Sequence, residues 1–367
     1  MKKFMKTITI VLALASLAAG CSRGDSSSTP PASTLVAGGA AVTITQVQGN
    51  VAPAVAATAL DINDNNQAVG YVEATAGAPF TAALWTVGGA AVTPKALAPL
   101  TGNTFSAAFA IDGTGRAVGQ SAKGGQLVAV TWPTGATFPT ELPALDAAGN
   151  STAFGISADG TCIVGEAQSA ALTTRAVIWV ATAAGAFTNP PIALPVNLIG
   201  SAFSSANTVV RTGTQILVAG EAEDGEGIPH ATLWRSTDGA VFAATDLGTA
   251  GETGSSALAV NAAGKVVGES ETAPGVFAAA LWTPDNAGAY SRTILAANGV
   301  ATGINNSGKV VGTAAGLATA WDTTALIFGT TTLFPTASQA YGNNNGDASG
   351  YLVIGVNDGK GFVKKLN

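Results

Sequence analysis

The chain has 367 residues, a net charge of −6, only 10% charged residues, 46 Gly, two Cys and a single His. So acidic and lysine-poor a chain argues against nucleic acid or anionic lipid as an electrostatic partner. Two Cys rule out a disulfide framework, and one His rules out a histidine cluster for metal. The length is ample for a fold held by core burial alone.

The N-terminus carries the three parts of an export signal. Lys2, Lys3 and Lys6 precede an uncharged apolar run, Thr7 to Ala19, which is shorter than the ~20 residues of a bilayer-spanning helix. Leu17-Ala18-Ala19-Gly20-Cys21 follows, and it resembles the bacterial lipobox, whose Cys is lipidated and becomes the first residue of the mature chain. The resemblance implies a signal peptide over 1–20 and a lipid on Cys21. Ser22 in place of Asp then favours the outer membrane over the inner one. Removing 1–20 takes away three Lys and no acid, so −6 becomes −9. Residues 21–40 are rich in Ser, Thr, Pro and Gly and read as a flexible tether. The Arg23-Gly24-Asp25 tripeptide within it is a chance occurrence, too close to the lipid for a large receptor.

From residue 41 to 367 one unit of ~45 residues repeats. Its first mark is Asn or Asp followed by a late Gly, as in Asn305-Asn306-Ser307-Gly308, which is tight-turn chemistry. Its second is an apolar pair closed by Gly: Gly70, Gly119, Gly165, Gly220, Gly268, Gly312 and, in a weaker seventh copy, Asp347-Ala348-Ser349-Gly350. The third is Trp85, Trp132, Trp179, Trp234, Trp282 and Trp321, which are all the Trp of the chain, with Phe362 in the seventh unit. Periodic aromatics of this kind pack units together. A further apolar stretch follows each Trp. Each unit thus reads as four short strands, here called a, b, c and d. Seven such units predict an all-β, seven-bladed β-propeller with four-stranded blades. The last unit ends after strand c, and the strand-like segment 41–48 precedes the first. The ring is therefore expected to close by 41–48 pairing with 361–366, an N-terminal strand completing the last blade and removing exposed edges.

With these residues in view, the units resemble the HAF-repeat family of bacterial extracellular proteins. Ile304-Asn305-Asn306-Ser307-Gly308-Lys309-Val310-Val311-Gly312 matches the family's first element, and His230-Ala231-Thr232-Leu233-Trp234 its second. The resemblance spans residues 57–363 and implies an exported repeat protein without a known activity. The other units have lost the His.

Chemistry-bearing motifs are few. No phosphate loop, Cys-x-x-Cys pair or serine elbow occurs. His230 reads as a strand-start residue and Cys162 as a small buried hydrophobe. Asp61-Ile62-Asn63-Asp64-Asn65-Asn66 lacks the distal carboxylate of a calcium loop and reads as a turn. One charge pattern stands out. Glu166, Glu221 and Glu269 follow the strand-b Gly in three successive units, with Glu223, Asp224, Glu226 and Glu271 just beyond. A propeller would gather them on one sector of one rim. A solvated rim and a patch for a cation such as calcium or for a basic partner are both open.

The expectation is a non-catalytic, lipid-anchored cell-envelope binding or scaffold protein. It has no catalytic or metal residues, no obligate cofactor and no nucleic-acid partner, and it is monomeric, with a protein or glycan as partner. The alternatives are a carbohydrate-active enzyme, lyase or glycosidase, and a structural subunit of an outer-membrane assembly.

Overall fold

The computed structural model describes residues 44–46 and 56–366, apart from 88–93, 147–148, 183–185, 197–202, 249–252, 325–328, 335, 346–350 and 358–359. Cys21, the signal segment, the tether and the flanks of the N-terminal strand lie outside the described residues. Every regular element described is a β-strand, and no described helix is long and apolar enough to cross a membrane.

Strand β1 (Ile44–Gln46) comes first, and seven units follow. Blade 1 is β2 (Ala56–Ile62), β3 (Gln67–Glu73), β4 (Thr81–Thr86) and β5 (Lys95–Leu97). Blade 2 is β6 (Ser106–Ile111), β7 (Ala117–Lys123), β8 (Gln126–Trp132) and β9 (Thr140–Glu141). Blade 3 is β10 (Ser151–Ile156), β11 (Cys162–Gln168), β12 (Thr174–Val180) and β13 (Ile192–Ala193). Blade 4 is β14 (Ser204–Thr212), β15 (Gln215–Glu223), β16 (Pro229–Ser236) and β17 (Ala243–Asp246). Blade 5 is β18 (Ser255–Val260), β19 (Val266–Ala273), β20 (Val276–Pro284) and β21 (Tyr290–Ala296). Blade 6 is β22 (Gly299–Ile304), β23 (Lys309–Ala314), β24 (Leu317–Asp322) and β25 (Gly329–Thr332). Blade 7 is β26 (Ser338–Asn343), β27 (Tyr351–Asn357), β28 (Lys360–Leu366) and, as its fourth strand, β1.

Each blade is an antiparallel meander, so the a–b and c–d turns lie at one end of the ring. The b–c turns and d–a connections lie at the other. The seven a strands touch in succession and return from β26 to β2, which makes them the innermost strands of a closed seven-bladed propeller. Closure follows the expected route. Ile44, Thr45 and Gln46 pair antiparallel with Lys364, Val363 and Phe362. A single parallel bridge, Ala57 to Lys360, then joins blades 7 and 1.

The apolar core lies between blades. Seven clusters occupy the seven seams, and each contains one of the periodic aromatics, with Trp234 set among Val164, Ile178 and Leu194 of blade 3. All six Trp and Phe362 are at most 1% exposed. Three Trp Nε1–H groups reach the chain just past strand d of the preceding blade: Trp132 to Ala98 O, Trp179 to Pro143 O and Trp234 to Pro195 O.

The strand-b Gly has a steric cause. In all seven blades it pairs with an Ala on strand a, immediately before a one-residue bulge. A Cβ on Gly220 would overlap the carbonyl oxygen of Ser205, and the other six meet the equivalent carbonyl. This criterion corrects the seventh copy. Its glycine is Gly355, opposite Ala340, and not Gly350. The a–b turn of blade 7 is longer: Asn344 Oδ1 accepts from the N–H eight residues on, where Asn305 Oδ1 accepts from the N–H four residues on.

Candidate functional site

At the a–b end the turn residues are used to hold the ring. Asn63, Asn261 and Asn305 each accept backbone N–H groups of their own turn through Oδ1. Their Nδ2 groups reach the next blade. Asn261 donates to Asn305 O, Asn305 to Asn344 O, Asn344 to Asn63 O and Asn63 to Asp112 O. A second row lies outside it: Ala262 N–H to Asn306 Oδ1, Asn306 N–H to Asn345 Oδ1 and Asn345 N–H to Asp64 Oδ1. Asp61-Ile62-Asn63-Asp64-Asn65-Asn66 therefore takes part in a turn and a seam. The fourth unit lacks an Asx. Its β14–β15 hairpin turns tightly at Gly213, and Arg211 donates to Thr161 Oγ1 of blade 3.

Nearer the opposite end, a serine opens strand a in five blades. Its Oγ accepts an N–H from strand c of the preceding blade: Ser106 from Ala82, Ser151 from Ala129, Ser204 from Ala176, Ser255 from Ala231 and Ser338 from Ala318. Nothing in the local sequence marks these serines, because their partner is in another blade. Aligning the strand-a segments would have shown the repeated Ser two residues before Ala.

Around the axis, bulged residues of one a strand reach the next a strand. Phe109 and Phe154 lie 5.7 Å apart, Asn207 Nδ2 donates to Ala257 O, and Thr302 Oγ1 to Ala340 O.

The acidic residues lie toward the b–c end of blades 3 to 5, and they divide into two groups. Glu166, Glu221 and Glu269 sit directly opposite hydroxyl residues of strand a: Thr152, Ser205 and Ser256. Glu221 and Glu223 are buried, at 5% and 8% exposure, and Glu269 is half-buried. They do not form a freely solvated rim, because the long b strands carry them below the turns. Burial pushes the Glu166 carboxyl up to about 7; the adjoining Ser205 hydroxyl opposes this and the charge of Glu221 adds to it. Glu166 Oε2 is closed to water.

Asp224 and Glu271 form the second group, and both serve their own b–c turns. Asp224 Oδ1 accepts from the N–H groups of Ile228 and Glu226, bonds that hold its carboxyl below the usual carboxylate range. Glu271 Oε1 accepts from Gly275 N–H. His230 starts strand c beside Asp224. Its Nδ1 lies 2.9 Å from Asp246 Oδ2 and its Nε2 3.9 Å from Asp224 Oδ2, so the one retained His ties strands c and d at the b–c end of blade 4. Cys162 is fully buried in the seam between blades 3 and 4, and burial pushes its thiol up. Among the described residues no three His, Cys, Asp or Glu side chains form a metal-ligand set.

No family model matches the chain, so its likeness to HAF repeats stays a resemblance, and no curated protein matches it. Solved structures do. A Hadza microbial sialidase, Hz136, matches at 10% identity and TM-score 0.48, covering 88% of this chain and 68% of that one. YCF48 bound to D1 peptide matches at 12% identity and TM-score 0.49, covering 91% and 98%. TolB from Acinetobacter baumannii matches at 12% identity and TM-score 0.42, covering 82% of this chain and 64% of that one. Such distant likenesses carry no function, and the propeller assignment rests on the strands and their pairing.

Proposed function

We propose that the chain is a non-catalytic binding module of the bacterial cell envelope, lipid-anchored through Cys21, with the b–c end of blades 3 to 5 facing a basic partner. One observation carries this reading. The blades are alike where they hold the ring, in their Gly, Trp and Asx positions, and they differ at the b–c end, where the carboxylates collect. Recognition belongs to what differs between repeats. Ser22 favours the outer membrane as the anchoring site. A structural subunit of an outer-membrane assembly would use the same face. The glycosidase alternative needs two carboxylates facing a sugar-sized space, and Glu166 Oε2, closed to water, lends it no support.

Two measurements test the proposal. Labelled palmitate is expected to enter the wild-type chain in cells and not the Cys21→Ser variant. A lysine-rich peptide titrated onto the protein is expected to bind, and to lose affinity in a combined Asp224→Asn, Glu226→Gln, Glu271→Gln variant of unchanged melting temperature. Equal binding by that variant rejects the assigned face.

A further inference from the structure

His230 is the single His of the chain, and the two carboxylates beside it are held by their own backbone. Asp224 follows β15, and its Oδ1 accepts the N–H groups of Glu226 and Ile228 at 2.9 and 2.8 Å. Asp246 ends β17, and its Oδ1 accepts the Gly248 N–H at 2.8 Å. Each carboxylate thus keeps its Oδ2 for the imidazole. Asp246 Oδ2 lies 2.9 Å from Nδ1, and Asp224 Oδ2 lies 3.9 Å from Nε2. The chain after β17 is wrapped closely on the ring, since a Cβ on Gly248 would come 2.8 Å from Nδ1. The His230 side chain is only 15% exposed, that of Asp224 20% and that of Asp246 34%. Other titratable groups adjoin the cluster. Glu226 lies on the same turn, Glu223 pairs with Pro229 across β15 and β16, and Glu271 of blade 5 borders Gly254 together with Pro229. On blade 3, Glu166 is held up at about 7.

The two unequal distances have a chemical cause. A neutral imidazole has one N–H and one lone pair, and a carboxylate only accepts. The bonded nitrogen, Nδ1, therefore carries the proton. Nε2 then turns its lone pair toward Asp224 Oδ2, and two acceptors stand apart. A proton on Nε2 makes it a donor, and the gap can close to a charge-assisted bond of about 2.8 Å. Imidazole is the side chain that makes this change between about pH 5 and 8. We propose that His230 is a proton-operated clasp. Acidification closes Nε2 on Asp224, steadies the turn 224–228 against strand d, and adds one positive charge to the b–c end of blade 4, so that a basic partner is released at acid pH. The release rests on the partner face proposed above; the clasp does not.

The test uses the full chain, whose single imidazole gives one unambiguous set of ring signals in NMR. At about pH 8 the proton is expected on Nδ1, and at about pH 5.5 on both nitrogens. Protection factors of the Glu226 and Ile228 amides against hydrogen exchange are expected to rise about threefold or more on that acidification. Asp224→Asn keeps the acceptor for those amides and offers Nε2 a donor in place of Oδ2. Its turn should be better protected at the higher pH, the reverse of wild type. His230→Asn keeps a donor for Asp246 and does not titrate, so its turn should not respond. A lysine-rich peptide is expected to lose affinity on acidification about two- to fivefold more in wild type than in His230→Asn, the weight of one exposed charge pair. Glu166 and the other carboxylates are the same in both proteins, so the difference belongs to His230. An Nε2–H tautomer at the higher pH, or equal protection at both, overturns the clasp. Equal loss of affinity in the two proteins overturns its control of the partner. A peptide that binds neither protein at either pH rejects the partner face, and the ring and amide readouts still decide the clasp.

Discussion

Gly220 shows how little freedom a single position in this chain has. Its place opposite Ala206 puts it against the Ser205 carbonyl, so Gly220→Ala must displace backbone. It is expected to cost at least about 2 kcal/mol in denaturant unfolding. Trp234, buried in the seam between blades 3 and 4, is expected to cost about 3–5 kcal/mol on substitution by Ala in the same measurement. At the surface the stakes are smaller. Asp322 Oδ2 accepts from Lys309 Nζ at 2.6 Å, a bond that leads in holding the carboxyl down at about 2, against an ordinary 3.8. A folded-state value below the unfolded one stabilises above the unfolded value, and this contribution disappears as pH falls through the folded value. Wild type is thus expected to be slightly more stable than Asp322→Asn at pH 7, by at most about 1 kcal/mol for so exposed a pair. The difference should close between pH 4 and 2 in urea unfolding followed across that range.

Among the elements, the a–b turn has two separable duties. Asn305 Oδ1 serves its own turn and Asn305 Nδ2 serves blade 7. Asn305→Asp keeps the acceptor and removes the donor, whereas Asn305→Ala removes both. The expected loss in thermal or urea melts is therefore larger for Ala, about 1–3 kcal/mol, than for Asp. Blade 2 carries that Asp naturally: Asp112 holds its turn, and Gly113 N–H takes over the link to Ala158 O. The turns, the glycines and the aromatics were legible in the sequence because each recurs at a fixed place in its own unit. The serines that open strand a are not legible there, because their hydrogen bonds cross a seam. The register of blade 7 is hidden for a different reason: its longer turn moves Gly355 away from the expected spacing. The acidic residues are legible, but their burial depends on how far β11, β15 and β19 run before turning, and alternation does not encode that.

At the scale of the whole molecule, the ring rests on the pairing of its two ends. Among the described residues, Ile44, Thr45 and Gln46 complete blade 7. Deleting residues 1–48 leaves β28 without its outer partner and exposes an edge that can pair with another copy. Such a truncated chain is expected to melt lower and to shift toward larger species in size-exclusion chromatography, while the full chain runs as a monomer.

The same closure has a consequence in time. Partners such as Thr45 and Val363 stand at opposite ends of the chain, so the last contact of the ring is also the one with the greatest loop-closure cost. Blades 1 to 6 can each form from neighbouring strands as the chain becomes available, but β1 has to wait for β28. Until then one strand is held in reserve, and any partner offering a free sheet edge competes for it.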